Sequence, residues 1–241
     1  MNFLEAHWEN IVMVNYAVPV DVLLPYLPNG CELDLHEGEA YVSLVGFMFK
    51  KTKLFKIPIP FLGTFEEVNL RFYVQRKEGS IIKRGVVFIN ETIPYRAVAW
   101  VANKLYKEHY TAIPTKNRIS INTTHKKIEY LWQINNVWNS IYIESSTDKH
   151  EMQTNSFEEF IFEHYYGYTK IDVLRTEEYK IDHPRWKVNK VAKYKIDCDF
   201  NKMYGDPFSF LKTATPNSVL LAEGSAISVK WKRNALKLEG K

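Results

Sequence analysis

Short runs of alternating apolar and polar residues, each closed by a turn signal, recur along the chain, and this rhythm restricts its fold more than any other feature. Trp8–Ala17 opens with an apolar run. Cys31–Leu35 and Ala40–Lys50 flank the turn His36-Glu37-Gly38-Glu39, and Phe65–Gln75 and Ile81–Glu91 flank Lys77-Glu78-Gly79-Ser80. Tyr110–Asn122, Lys126–Ile134 and Val137–Ser145 read as a further meander, with Thr147–Asn155 as a polar connection. Lys170–Tyr179, Trp186–Cys198, Ser218–Ala222 and Ser225–Trp231 read as the last strands.

Helices are few. Pro19 opens a short amphipathic segment that ends at Pro28-Asn29-Gly30. Ala97, Val98, Val101, Leu105 and Tyr106 recur at helical spacing within Tyr95–Lys107. Ser156 is placed as an N-cap with Glu159 completing a capping box, and that helix runs to about His164. Asp206–Leu211 reads as one more short helix. Regular strand–helix alternation is missing, and no Gly/Ser- or Pro-rich linker divides the sequence. The expectation is one mainly β (β-rich α+β) domain over residues 1–241, with Lys53–Gly63, too apolar for an exposed loop, as a rim over one mouth of the fold.

Composition narrows the function. The aromatic fraction is 15%, which suits broad pleated faces and leaves a few rings free to line a cavity. A net charge of +4 with mixed signs, no basic run and no zinc-ligand spacing argues against nucleic-acid binding, and the tail Lys230–Lys241 reads as a solvated terminus. Cys31 and Cys198 have no neighbour at metal spacing, so no metal is expected. The N-terminal residues lack a signal-peptide pattern and no stretch has the length of a membrane span, so a cytoplasmic protein without membrane contact is expected. There is no P-loop, GxGxxG, GxSxG or HExxH, and no cofactor is expected.

Three constellations could carry chemistry. In Phe65-Glu66-Glu67-Val68-Asn69-Leu70-Arg71, period-two alternation puts Glu67, Asn69 and Arg71 on one strand face with Phe65, against Glu66, Val68, Leu70 and Phe72 on the other. Such a polar face is either solvated or gathered in a polar interior. Tyr106, His109 and Tyr110 follow the central helix and offer proton donors, although a packed Tyr bonded to backbone is the commoner outcome. His164 lies beside Glu163 and Tyr165, and His183 beside Trp186. A His in such company can act as a base, and a satisfied structural His is the plainer alternative.

Five segments carry a family resemblance, in order along the chain. They are Trp8 with VDVLLPYLPNG, AYVSLVGFMF, FEEVNLRFYV with GVVFIN, FEEFIFEHYYGY, and HPRWKV with PNSVLLAEGSAISV. Together they resemble the YqjF-like family of uncharacterised proteins, within the acetoacetate-decarboxylase-like superfamily. The resemblance implies a curved, closed antiparallel β-barrel around an internal cavity. In the decarboxylases a lysine forms a Schiff base, a second lysine lowers its pKa, and a glutamate in an aromatic-x-Glu strand reaches the cavity. Phe65-x-Glu67 looks like that strand. The lysine position falls on Tyr110, which cannot form an imine, with Lys104, Lys107 and Lys116 nearby in sequence. A barrel frame turns Glu67, Asn69 and Arg71 toward the lumen.

The function expected is a cavity for a small anionic or carbonyl-containing molecule, with Glu67 and Tyr110 as the catalytic pair if a reaction occurs. Asn69, Arg71, Tyr106, His164, His183 and Trp186 are the expected ligand-binding residues, with Arg71 either neutralising the ligand or pairing with Glu67. Two other readings stand beside it: a non-catalytic protein whose barrel is filled by side chains, and a Schiff-base β-keto acid decarboxylase with a displaced lysine.

Overall fold

The computed structural model describes residues 2–58, 63–230 and 234–237, with backbone alone for Leu105, Tyr106 and 234–237. The expected rim Lys53–Gly63 therefore lies partly outside the described residues, as does the side chain of Tyr106.

The chain is mainly β, and its hairpins form where turn residues separate apolar runs. β1 (Asn2–Val18) is followed by the short helix α1 (Val20–Leu23), β2 (Glu32–Leu33), β3 (Ala40–Leu54) and β4 (Ile57–Pro58). Next come β5 (Phe65–Glu78), β6 (Ile81–Ile93), α2 (Arg96–Tyr106) and β7 (Tyr110–Ala112). β8 (Thr115–Ile121), β9 (His125–Ile134) and β10 (Val137–Glu151) form the meander, and α3 (Phe157–Phe162) leads into β11 (Tyr166–Lys170) and β12 (Arg175–Asp182). β13 (Lys187–Asp197), α4 (Phe200–Tyr204), β14 (Ser218–Ala222), β15 (Ala226–Lys230) and β16 (Asn234–Lys237) follow.

Hydrogen-bonded pairing runs in a ring. β3 pairs with both β1 and β5, β5 with β6, β6 with β11, β11 with β12, β12 with β15, and β15 returns to β1. These pairings are antiparallel except β6–β11. The long β1 serves two neighbours on its second edge. Asn2–His7 pair with β15, and Ile11–Asn15 pair with β14. Asn10, at the change of partner, has φ 53°, a left-handed conformation that Asn tolerates better than most residues. From β14 the sheet continues through β13, β10 and β9 to β8, and this arm packs over the outside of the ring.

β5 is consequently covered on both sides. Val68, Leu70, Phe72 and Val74 enter the core beneath the outer arm, where Tyr130 and Trp132 are fully buried. Glu66 shares that face, and Thr115 and Asn117 of β8 donate to its carboxylate. Phe65 and Tyr73 enter a second core inside the ring with Phe47, Phe49 and Phe160.

Several boundaries differ from the sequence expectation. The 110–122 run breaks at Pro114, which lacks an N–H for the ladder, and the carbonyl of Pro114 instead accepts from Gln133 N. The 170–179 run is not one strand, because Lys170 ends β11 and β12 begins at Arg175. Asp172 Oδ1 accepts from the N–H groups of Leu174 and Arg175, folding a turn between β11 and β12. β10 continues through the polar 147–151 segment, paired with β13. Ser156 Oγ accepts from Glu159 N as an N-cap should, while Glu159 Oε2 accepts from Asn155 N rather than from Ser156 N. Among the described residues no helix is long and apolar enough to cross a membrane.

Candidate functional site

A cavity of about 290 Å3 opens inside the ring. β5 supplies Phe65, Glu67, Asn69 and Arg71 to its wall, so the face predicted from alternation is the face that lines it. β3 adds Val45, Phe47 and Phe49, β1 adds Trp8, Ile11 and Met13, and α2 lays Ala97, Val98, Val101 and Ala102 across one side. Most of the wall is apolar.

Glu67 is the central group. It is 3% exposed. Asn69 Nδ2 donates to its Oε1 at 2.9 Å, and the Tyr110 hydroxyl donates to its Oε2 over 3.4 Å. Burial raises the carboxyl pKa from 4.5 to about 7, outweighing the two hydrogen bonds, while Glu108 nearby pushes the same way and Arg71 opposes. A carboxyl poised near neutrality can both accept and return a proton. Burial, then Glu67 and Glu91, holds the Tyr110 phenol well above its ordinary range, so Tyr110 remains a donor.

Three strands assemble this group. Asn69 sits opposite Glu91 on β6, and Glu91 sits opposite Tyr110 on β7. Tyr110 is pinned from α2 by a single side chain: Asn103 Nδ2 donates to the Tyr110 carbonyl at 2.8 Å, and Tyr110 N donates to Asn103 Oδ1 at 2.7 Å.

Arg71 lies farther along the same wall, half-buried. Its Nη2 is 3.6 Å from Met13 Sδ and its guanidinium carbon 5.8 Å from the Tyr73 ring centre. Nε has no partner, and no carboxylate of the described residues lies within 4.0 Å of the guanidinium. The alternative of a Glu67–Arg71 salt bridge is therefore not realised. Below Arg71 the ring is filled. The Ser43 hydroxyl bridges Asn15 Oδ1 and the Tyr73 hydroxyl, each at 2.5 Å, and Tyr73 packs on Phe160 and His164.

Trp186 reaches the cavity wall, with its indole N–H donating to Ser225 Oγ at 2.8 Å. The two histidines expected beside it do not reach the wall. His164 Nε2 meets Asp34 Oδ2 at 3.1 Å, Asp34 is held in turn by Arg84, and burial lowers the imidazole pKa to about 4. His183 is stacked between Tyr165 and Trp186 at 4.5 and 4.2 Å. Both stand behind the wall, packed against aromatic rings; one nitrogen of each makes a local hydrogen bond, and His164 Nδ1 has no partner among the described residues.

Glu91, Glu108, Phe88 and Tyr179 line the cavity without having been singled out in the sequence. Phe88 and Glu91 are of opposite parity, and both face inward because the β5–β6 register shifts between Leu70 and Arg71.

Among the described residues no lysine lines the cavity. Lys104 lies 5.2 Å over the Trp100 ring, Lys116 lies 4.5 Å over Trp138, and Lys107 caps α2 in an exposed position. Lys126 is buried, but in a separate groove with Lys149 and Glu223, where its ammonium donates to Asn189 Oδ1 at 3.2 Å. Among the described residues no group of His, Cys, Asp and Glu is arranged to hold a metal.

This architecture defines an acetoacetate-decarboxylase-like fold. Acetoacetate decarboxylase from Legionella pneumophila superposes with a TM-score of 0.65 at 8% identity, covering 97% of this chain and 87% of that one. An acetoacetate-decarboxylase-like enzyme from Sphingomonas wittichii gives 0.64 at 7% identity, covering 98% and 94%. The enduracididine biosynthesis enzyme MppR, complexed with pyruvate, gives 0.63 at 10% identity, covering 98% and 91%. Within that fold the chain belongs to the DUF2071 family of uncharacterized conserved proteins, whose family model matches residues 5–226. The uncharacterized protein YqjF of Bacillus subtilis is 29% identical over 104 residues, which span 43% of this chain and 41% of that protein.

Proposed function

We propose that this protein binds a small organic anion bearing a carbonyl group in the ring interior and moves a proton on it there. The observation that carries the reading is the contrast between two groups on one wall. Arg71 presents a cation with no carboxylate within 4.0 Å among the described residues, and Glu67, two alternations away, holds a carboxyl whose pKa lies near 7. A half-buried guanidinium can take a ligand carboxylate as its partner. That MppR shares the fold and is complexed with pyruvate supports the ligand class. The ring of strand pairings supports reading the sheet as a closed barrel with this cavity as its lumen.

In this reading Arg71 holds the carboxylate and Glu67 faces the carbon next to the carbonyl. Ionised Glu67 takes the proton from that carbon. The C–H electrons form the C=C bond of an enolate, and the carbonyl π electrons move onto oxygen. Tyr110 then donates to that oxygen in place of Glu67. Returning the proton restores the ligand, so the step needs no co-reactant.

The test is proton–deuterium exchange of 2-oxo acids in D2O, followed by NMR with the purified chain. Glu67→Gln lowers exchange by about 10²–10⁴-fold, the usual contribution of a positioned base. Arg71→Ala weakens binding. Wild-type exchange rates in Glu67→Gln would refute the assignment of the base.

A further inference from the structure

The cavity wall has a direction. Tyr73, Arg71, Asn69, Glu67 and Phe65 follow one another on a single face of β5, two residues apart. At about 3.3 Å per residue, Arg71 and Phe65 are about 20 Å apart along the strand. The Arg71 end abuts the filled part of the ring, where Tyr73 packs on Phe160 and His164. Toward Phe65 polar groups give way to rings and aliphatic side chains. Phe65 stacks on Phe49 at 4.8 Å and meets Tyr95 edge-on at 5.5 Å, and α2 adds Val98 and Val101. Neither valine offers a hydrogen bond to a second polar group on a ligand.

Volume sets the length of what fits. A water-sized group takes about 30 Å3, so a cavity of about 290 Å3 holds about ten non-hydrogen atoms. A carboxylate and an adjacent carbonyl use about five of them. We propose that the ligand is an oxo acid with an apolar tail of about four to six carbons, its carboxylate on Arg71, its carbonyl near Tyr110 with Glu67 facing the next carbon, and its tail directed toward Phe49, Phe65 and α2. The inference rests on the proposed function and adds the tail to it. Keto acids of pyruvate size fill only the polar half and leave the Phe49–Phe65 end without apolar contact.

The experiment is calorimetric titration of the full chain with pyruvate, 2-oxopentanoate, 2-oxohexanoate and 2-oxooctanoate, alongside Arg71→Ala. Each buried methylene tightens Kd about fourfold, so 2-oxohexanoate binds about sixty-fold more tightly than pyruvate. A second arm uses Val101→Trp, which fills the tail space and flattens the dependence on chain length. Equal affinity across the series with binding still lost in Arg71→Ala overturns the tail and leaves the anion site standing. Binding of no acid, or equal binding by wild type and Arg71→Ala, overturns both. The wild-type series decides the tail even where Val101→Trp does not fold.

Discussion

Glu67 is a burden on the folded state at neutral pH, and removing its charge tests the electrostatics of the cavity directly. Its folded pKa of about 7 lies above the 4.5 of an exposed carboxyl. Between those values the native state binds more protons than the unfolded state, so stability falls as pH rises. The contribution is intact below pH 4.5 and lost once pH has passed about 7. A difference of about 2.5 units, at 1.36 kcal/mol each, comes to about 3 kcal/mol. Glu67→Gln has no charge to bury and keeps an amide oxygen for Asn69. Its new NH2 needs an acceptor, which costs about 1 kcal/mol. The variant is therefore expected to be more stable than wild type at pH 8 by about 2 kcal/mol, and to lose that advantage by pH 5. Urea denaturation of both proteins at pH 5, 6, 7 and 8 reads the effect, and the difference between them cancels the titrating groups that do not interact with Glu67. A chain of this size translates 2 kcal/mol into roughly 4–8 °C of Tm. A stability difference that stays flat from pH 5 to 8, or a variant less stable at pH 8, refutes the account of Glu67.

His164 acts with the opposite sign. Its folded pKa of about 4 lies below the 6.5 of a free imidazole, so the stability it contributes is present above pH 6.5 and is lost as pH falls toward 4. His164→Gln is expected to flatten the wild-type decline on that side in denaturant titrations. Asn103→Ala removes both hydrogen bonds that hold the Tyr110 backbone. It is expected to cost about 1–2 kcal/mol by urea denaturation and to lower kcat for deuterium exchange more than it raises KM. A Cβ at Gly167 would overlap the Tyr179 ring, which lies over that position on the paired strand. Gly167→Ala is expected to destabilise the protein by about 1–3 kcal/mol and to weaken oxo-acid binding, because Tyr179 must move and also lines the cavity. Cys31 and Cys198 are both buried, and burial pushes the Cys31 thiol up to about 12, so a thiol reagent is expected to modify neither until urea unfolds the chain.

What could be read from the sequence follows the regularity of each strand. Along β5 the period of two is unbroken through Phe65–Tyr73, and alternation alone places Glu67, Asn69 and Arg71 together. Along β6 the shift near Ile89 changes the parity, so no alternation count brings Phe88 and Glu91 to one side. Glu108 and Tyr179 meet the cavity through the docking of separate segments, which spacing does not encode. His164 and His183 looked chemical because they sit among Glu, Tyr and Trp. The same aromatic company buries and stacks them, and packing leaves the imidazoles behind the wall. The ring itself depends on β6 meeting β11 in parallel, a non-local pairing that no hairpin signal announces.

Under the proposed function, packing of one end of the ring would make the open end selective. Were the interior filled throughout, Arg71 would be an unpartnered cation in a dry core, and substitution by an apolar residue would stabilise the fold. Were it open throughout, water would solvate the guanidinium and dilute its attraction for an anion. Tyr73, fixed by the Ser43–Asn15 hydrogen bonds and packed against His164 and Phe160, closes the ring just below Arg71. The cation is thereby held at the floor of the cavity, with its unpartnered Nε buried against the wall. In the proposed function the ligand enters acid end first and meets that charge. In the same reading Glu67 lies above it on the same face of β5, with Tyr110 reaching Glu67 from β7, so the depth to which the carboxylate descends decides how squarely the carbon beside the carbonyl stands opposite Glu67. Changing the floor should therefore change how fast that carbon exchanges its proton. Tyr73→Phe removes the hydroxyl that Ser43 bridges while keeping the ring, and it is expected to loosen the floor and slow deuterium exchange at C3 of the same oxo acid, lowering kcat more than it raises KM, as followed by NMR. Exchange at the wild-type rate in this variant would show that the floor does not set the position of the ligand.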